Sequence, residues 1–191
     1  FFRNAMHYTF SVKTKRLIFR HFMSIFANPT VDEELKIHAL RWLVTPLLLS
    51  IFRSDKGEDH YVLTPDVCNK IVRNMLCAES PETGHVYSDS MRIELLKMAT
   101  LLIKHMSVSL LDRRKELIKF AWNHLKSDDV MIKHWAYVNV CRFISVYETP
   151  PKIILQVYVA LLRTYQPESR HLVEAALDIL VPSLPLRLAG A

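Results

Sequence analysis

The stretch from Thr149 to Arg187, TPPKIILQVYVALLRTYQPESRHLVEAALDILVPSLPLR, constrains the fold more than any other. Thr149 is placed to cap a helix whose first turn holds Pro150, where a missing N–H costs nothing because that donor has no intrahelical partner. Ile153, Ile154, Val157, Leu161 and Leu162 then recur at three- and four-residue steps until Gln166-Pro167 stops the pattern and restarts it. The second helix carries Leu172, Val173, Ala176, Leu177, Leu180 and Val181 on one side, and Pro182 and Pro185 close it. Two amphipathic helices joined by so short a turn lie antiparallel, and neither buries its apolar stripe alone. A chain that ends this way needs further helix pairs to stack on.

The preceding residues supply them. From about Asn4 to Ala27 the pattern is helical, clearest at Leu17, Ile18, Phe22, Ile25 and Phe26, and Asn28-Pro29 ends it. Thr30 and Glu33 have capping-box spacing and open a second helix through Leu35, Ala39, Trp42, Leu43, Leu47 and Ile51, with Pro46 expected to kink it. Thr64-Pro65-Asp66 opens a third, using Val67, Ile71, Met75 and Leu76. Ser88 caps a fourth with a broad face of Met91, Leu95, Leu96, Ala99, Leu102, Ile103 and Met106. A fifth runs from Asp112 to Lys126 with Leu117, Ile118, Ala121, Trp122 and Leu125 inward. Asp128 or Asp129 caps a sixth on Ile132, Trp135, Ala136, Asn139, Phe143 and Tyr147. The expectation is an all-α chain of eight helices in four pairs, 4–52, 64–107, 112–147 and 149–182. Their first members start near Thr14, Thr64, Asp112 and Thr149, steps of about 50, 48 and 37 residues against roughly 40 to 47 in HEAT and armadillo arrays. The fold class is an α-solenoid of HEAT-like pairs in one continuous segment, an internal piece of a longer chain.

Composition agrees. Half of the residues are hydrophobic and mean hydropathy is +0.10, enough for a substantial core. Three glycines, Gly57, Gly84 and Gly190, are too few and too scattered for tight hairpins or for a glycine-rich phosphate loop. Neither H-R-D nor D-F-G occurs, so no kinase or NTPase site lies in this stretch. Cys68, Cys77 and Cys141 are odd in number and lack C-x-x-C spacing. They read as reduced, mostly buried thiols of a nuclear or cytosolic protein. The apolar run Leu40 to Phe52 is too short to span a bilayer and contains Arg41 and Pro46.

The nine histidines contain no H-E-x-x-H pair or other metal-type spacing. If helices stack in order, His105, His124 and His134 could approach one another, but surface or satisfied core positions are the favoured reading, and no metal or cofactor is expected. Trp42, Trp122 and Trp135 are in phase with aliphatic neighbours and read as core packing. Asn139 and Thr45 are polar groups near apolar faces and candidate inter-helix hydrogen bonders. No Ser, His and Asp set carries a local catalytic signature.

The net charge of +6 is concentrated. The first 27 residues hold Arg3, Lys13, Lys15, Arg16 and Arg20 with no acid, and a second excess lies between Asp112 and Lys126. Lys13, Lys15, Arg16 and Arg20, together with Arg113, Arg114 and Lys115, are therefore the candidate partner contacts. The latter three oppose the dipole at a helix start, which an acidic partner group would relieve. Solvated helix faces are the plainer reading, because aromatic residues fall on apolar faces and not among the cations as in nucleic-acid binders. The polar loop Arg53 to Leu63, with Tyr61, is a further candidate for a binding face.

RRKELIKFAWNHLK from Arg113, followed by PPKIILQVYVALLRTYQPESRHLVEAALDILVPSLPLRL, closely resembles the HEAT-repeat region of the TRRAP family, the giant adaptors among the phosphatidylinositol-3-kinase-related kinases. The shared features are the KFAW-type helix, the P-x-K-I-x-x-Q-V-x-x-x-L-L pattern, and the A-x-x-I-L-x-P-x-x-P ending at Ala176, Ile179, Leu180, Pro182 and Pro185. ELKIHALRWLVTPLLLSIF is similar to that family's leucine-rich helix with an internal proline. The resemblance implies a non-enzymatic scaffold subunit of nuclear histone acetyltransferase complexes of the SAGA and MYST types, which binds other subunits and transcription activators. From the residues themselves no cofactor, no membrane and no direct nucleic-acid binding are expected. The family's FAT and kinase-like domains are not in this stretch, so no site residue carries over. Two alternatives stay open: the solenoid of an active kinase of the same superfamily, and a transport or nucleic-acid-binding solenoid using the basic first helix.

Overall fold

A computed structural model describes residues 10–53, 62–79 and 86–189. Among these every regular element is helical. The chain divides into two compact units, Phe1–Glu94 and Leu95–Ala191.

In the first unit, α1 is Val12–Ala27. It does not run unbroken from Asn4: Ser11 is extended and caps it, accepting from the Thr14 N–H at 3.2 Å, while 4–9 lie outside the described residues. Phe19, Phe22 and Phe26 turn inward, with the Phe26 ring 6.1 Å from Tyr87. The cap of α2, Glu33–Ala39, is Asp32 and not Thr30, whose N–H and hydroxyl are both donated to Asn28 Oδ1. An Asx turn after Asn28 thus occupies the threonine, and the aspartate nearest the helix takes the capping role.

The expected disturbance at Pro46 takes a specific form. α2 continues through a π-helical turn, Leu40–Val44, into α3, Thr45–Arg53, and the Thr45 N–H bonds to the Leu40 carbonyl. In an α-helix the proline ring would crowd the carbonyl four residues back and leave it without a donor. Widening the preceding turn by one residue lets the helix continue instead. Glu33–Arg53 together is 21 residues long and apolar enough, by length and composition, to cross a membrane. One face of it packs, with Leu40, Val44, Leu47 and Leu48 fully buried and Arg41 ion-paired, while Leu35 and Trp42 on the other side are exposed. α4, Pro65–Ile71, is capped by Thr64 as expected and runs into a second π turn, Val72–Leu76.

α5, Asp89–His105, crosses the boundary between the units. Ser88 caps it, accepting from the Met91 N–H at 3.3 Å. In the second unit a 3₁₀ turn, Leu111–Arg113, leads into α6, Arg114–His124. α7 is Val130–Val146, capped by Asp129 through a 2.8 Å bond from the Ile132 N–H. α8 is Pro151–Arg163, and its cap position is Pro150, one residue later than expected, because the Thr149 hydroxyl is donated back to the Tyr147 carbonyl. α9, Arg170–Leu180, and the short α10, Leu184–Leu188, complete the unit.

α7 is its organising element. Its periodicity predicts one inward face, but Ala136 to Cys141 are buried without interruption. α6, α8 and α9 all pack on it, and a helix enclosed on several sides is apolar all round. Its core partners are Ile154, Val157 and Leu161 of α8 and Leu172, Val173, Ala176 and Leu180 of α9. Within that core Asn139 is fully buried and donates to Thr100 Oγ1 at 2.9 Å, the inter-helix bond its position suggested. Thr45 Oγ1, the other candidate, is buried without a partner among the described residues.

Several apolar residues expected inside are not there. Trp42 is 54% exposed, Leu17 61% and Leu162 45%, and Trp122 is also exposed. Trp135 is half-buried, with Lys97 Nζ 5.3 Å from its ring centroid. Of the cysteines, Cys68 and Cys141 are buried, but Cys77 is exposed.

Candidate partner-binding surfaces

The two basic segments have different geometries. On α1, Lys13, Arg16 and Arg20 are spaced by three and four residues and share one exposed face with Leu17. Lys15 does not join them. Two residues along a helix is about 200° of rotation, so its side chain lies on the inward side and is buried. Helical phase alone could have separated it from the other three. Arg16 and Arg20 border a groove of about 430 Å³ floored by Phe19, Met23, Val62 and Val67. Lys70 also borders it, paired with Asp66 at 2.8 Å.

The Arg113-Arg114-Lys115 cluster sits where the 3₁₀ turn becomes α6. Arg113 donates to Glu116 Oε1 at 2.9 Å, so the acid of that same turn offsets part of the unfavourable cation placement against the dipole. Arg114 and Lys115 are exposed and line a cleft of about 800 Å³. Its other walls come from far along the chain: Phe143 of α7, Glu148 to Pro151 of the α7–α8 connection, and Leu186 and Arg187 of α10. Arg187 is held there by donating to the Ser145 carbonyl at 3.1 Å. Leu186 and Arg187 are not among the residues singled out from sequence, and Phe143 reads there only as core packing, since no local signal marks residues that only tertiary packing brings beside Arg114.

A third surface is apolar. Leu155, Val159 and Leu162 recur along the outer side of α8, all exposed, opposite the buried Ile154, Val157 and Leu161. Of the expected loop Arg53 to Leu63, residues 54–61 lie outside the described residues.

The histidines are accounted for differently from metal ligands. His124 and His134 are buried, and each directs Nδ1 at 2.8 Å to the carbonyl four residues back, Phe120 and Val130. A carbonyl can only accept, so Nδ1 carries the proton in both. At His105, loss of some of its hydration to the surrounding protein, followed by the nearby Lys104 and Arg142 charges, lowers the imidazole pKa. Among the described residues no group of three or more His, Cys, Asp and Glu side chains could hold a metal ion. Burial pushes the Cys68 thiol up to about 11 and that of Cys141 up to about 12, the opposite of an activated nucleophile. What these surfaces offer is shape, apolar area and positive charge.

The chain matches the family model described as the Tra1 HEAT repeat ring region over residues 1–190. It is 43% identical over 183 residues to the probable transcription-associated protein 1 of Dictyostelium discoideum, covering 94% of this chain and 4% of that protein. It is 34% identical over 182 residues to the SAGA complex/NuA4 acetyltransferase complex subunit Tra1 of Schizosaccharomyces pombe, covering 94% of the chain and 5% of the relative. Identity to the human transformation/transcription domain-associated protein is 30% over 198 residues, again 94% of the chain and 5% of the relative. The chain thus spans about one-twentieth of the length of these relatives. No solved structure matches it.

Proposed function

We propose, from the premise that the chain belongs to the Tra1 HEAT-repeat family, that it is a stretch of the scaffold of a histone acetyltransferase coactivator complex. It works by binding and not by catalysis. Its helix pairs form one repeat segment, whose surfaces hold other subunits and transcription activators while enzymes elsewhere in the complex act, in the nucleus and without direct contact to nucleic acid. The observation that carries this is the match over nearly the whole chain to relatives one of which is named as a SAGA and NuA4 subunit. The surfaces support it: basic and apolar grooves suit segments of partner proteins, and many weak contacts on one scaffold add to firm assembly.

The test is affinity purification of the full-length source protein with mass spectrometry, comparing wild type with charge reversal at Lys13, Arg16 and Arg20. Acetyltransferase subunits in both eluates, with particular partners lost from the variant, is the expected result and places a contact on α1. An eluate of transport cargo or DNA-repair factors without an acetyltransferase would overturn the reading.

A further inference from the structure

We propose that the cleft between α6, the α7–α8 connection and α10 binds an extended acidic segment of a partner protein that carries a bulky apolar side chain. The proposal rests on the scaffold reading for its claim that the occupant is a protein, and adds the place and the chemistry.

Three cations meet here from distant parts of the chain: Arg114 and Lys115 from the start of α6, and Arg187 from α10. Arg187 spends one N–H on the Ser145 carbonyl, which fixes the guanidinium at the cleft and leaves further donors in the fork. Among the described residues of the lining Glu148 is the one carboxylate, against three cations. The rest of the lining is largely apolar: Phe143, Pro150, Pro151 and the highly exposed Leu186. A purely apolar occupant would leave these cations desolvated and unmatched, a cost that neighbouring helices of a repeat array avoid by meeting through apolar faces. A nucleic-acid strand needs a longer row of cations and rings to stack on, and gains nothing from the prolines. An acidic segment with an apolar anchor matches both parts of the surface. At about 800 Å³ the cleft has room for a few side chains and not for a folded domain. The two prolines have no N–H to offer, which leaves recognition to the occupant's side chains.

The probe is a short fluorescein-labelled peptide of interspersed Asp and Glu with one Phe, titrated by fluorescence anisotropy into the whole chain. Binding is expected to weaken with rising salt, and to weaken when the Phe of the probe becomes Ala or its acids become Gln and Asn. The double variant R114E/K115E should lose about tenfold or more, since it replaces two attractive charges by two repulsive ones. Leu186→Ser should lose about threefold to tenfold through lost apolar contact. The conservative R114K should retain most of the binding, and reversal at Arg16 and Arg20 should leave it unchanged. Equal losses from the two reversals, or equal affinity for the uncharged probe, would overturn the proposal. Wild-type chain cross-linked by a photoreactive Phe in the probe gives a check independent of any variant: adducts must fall at 114–118, 143–151 or 184–189, and adducts elsewhere overturn it. Cleft binding by a source protein that brings down no acetyltransferase subunit would sink the scaffold reading and leave the cleft standing. Acetyltransferase subunits recovered alongside a peptide that ignores R114E/K115E would do the reverse.

Discussion

The two units solve the same problem, covering amphipathic helices, with different interior chemistry. The first is stitched by carboxylates. Glu94, almost fully buried, takes Arg41 Nε at 2.9 Å; the partly buried Glu79 Oε1 receives two guanidinium N–H groups of Arg92 and the Tyr87 N–H; nearer the surface Glu33 accepts the Ser88 N–H. The second is built on α7, buried on most of its sides, and its buried polar links are mostly neutral: Asn139 to Thr100, and the Tyr147 hydroxyl to the Ser107 carbonyl at 2.9 Å. A buried carboxylate must be matched or the interior suffers, whereas an apolar core suffers mainly from lost volume or an intruding charge. The same architecture therefore predicts two different sensitivities.

The largest effect should come from the second unit. Leu161 is fully buried between α7 and α9, and Leu161→Asp places a carboxylate with no partner in that core. The expected loss is more than about 4 kcal/mol, enough to unfold the unit, read by thermal or urea melting. Trp135→Asp should cost roughly half as much, because Trp135 is half-buried and one face of its ring already looks toward Lys97. Equal melting of wild type and Leu161→Asp would mean that α8 faces the other way.

Next in size is Arg41→Ala in the first unit. It removes a charged partner from a carboxylate whose side chain is 2% exposed, while the arginine itself is 42% exposed and partly screened. The expected cost is about 2 kcal/mol, below the 3–5 of a fully buried pair. Adding Glu94→Gln should recover part of it, since the group left behind is then neutral. No recovery in the double variant would show that the arginine stabilises by packing of its stem and not by charge.

How much of this could be read from the chain follows the range of each signal. Thr64 and Ser88 were legible as caps, and Asp129 as one of two adjacent candidates, because capping chemistry spans three residues. Thr30 and Thr149 misled because a nearer acceptor, Asn28 Oδ1 or the Tyr147 carbonyl, claims the hydroxyl. Proline 46 signalled a disturbance, but not that a π turn would absorb it. The apolar face of α7 was underestimated because periodicity finds one stripe and cannot report that neighbours cover the other side. Of the candidate contacts, the cations were legible as charge, and the cleft beside Arg114 was not, because Phe143, Leu186 and Arg187 reach it through tertiary packing.

The smallest perturbation, thiol labelling, tests the comparison most directly, because each unit carries one buried cysteine. At pH 8 a maleimide should modify the exposed Cys77 at once and leave Cys68 and Cys141 protected. Both burial and thiols raised to about 11 and about 12 keep the reactive thiolate scarce in the folded chain. The sign of the linkage follows. The folded values lie above the ordinary 9.0, so the stability these thiols contribute is full below about pH 9 and is lost as pH rises through 11 to 12. In mild urea with added salt, Cys68 should be labelled before Cys141, because salt weakens the charged links of the first unit while it strengthens apolar burial in the second. Peptide mapping of the adducts reads the order. Simultaneous labelling of the two would mean that the units open together, and the difference in their interiors would then have no energetic consequence.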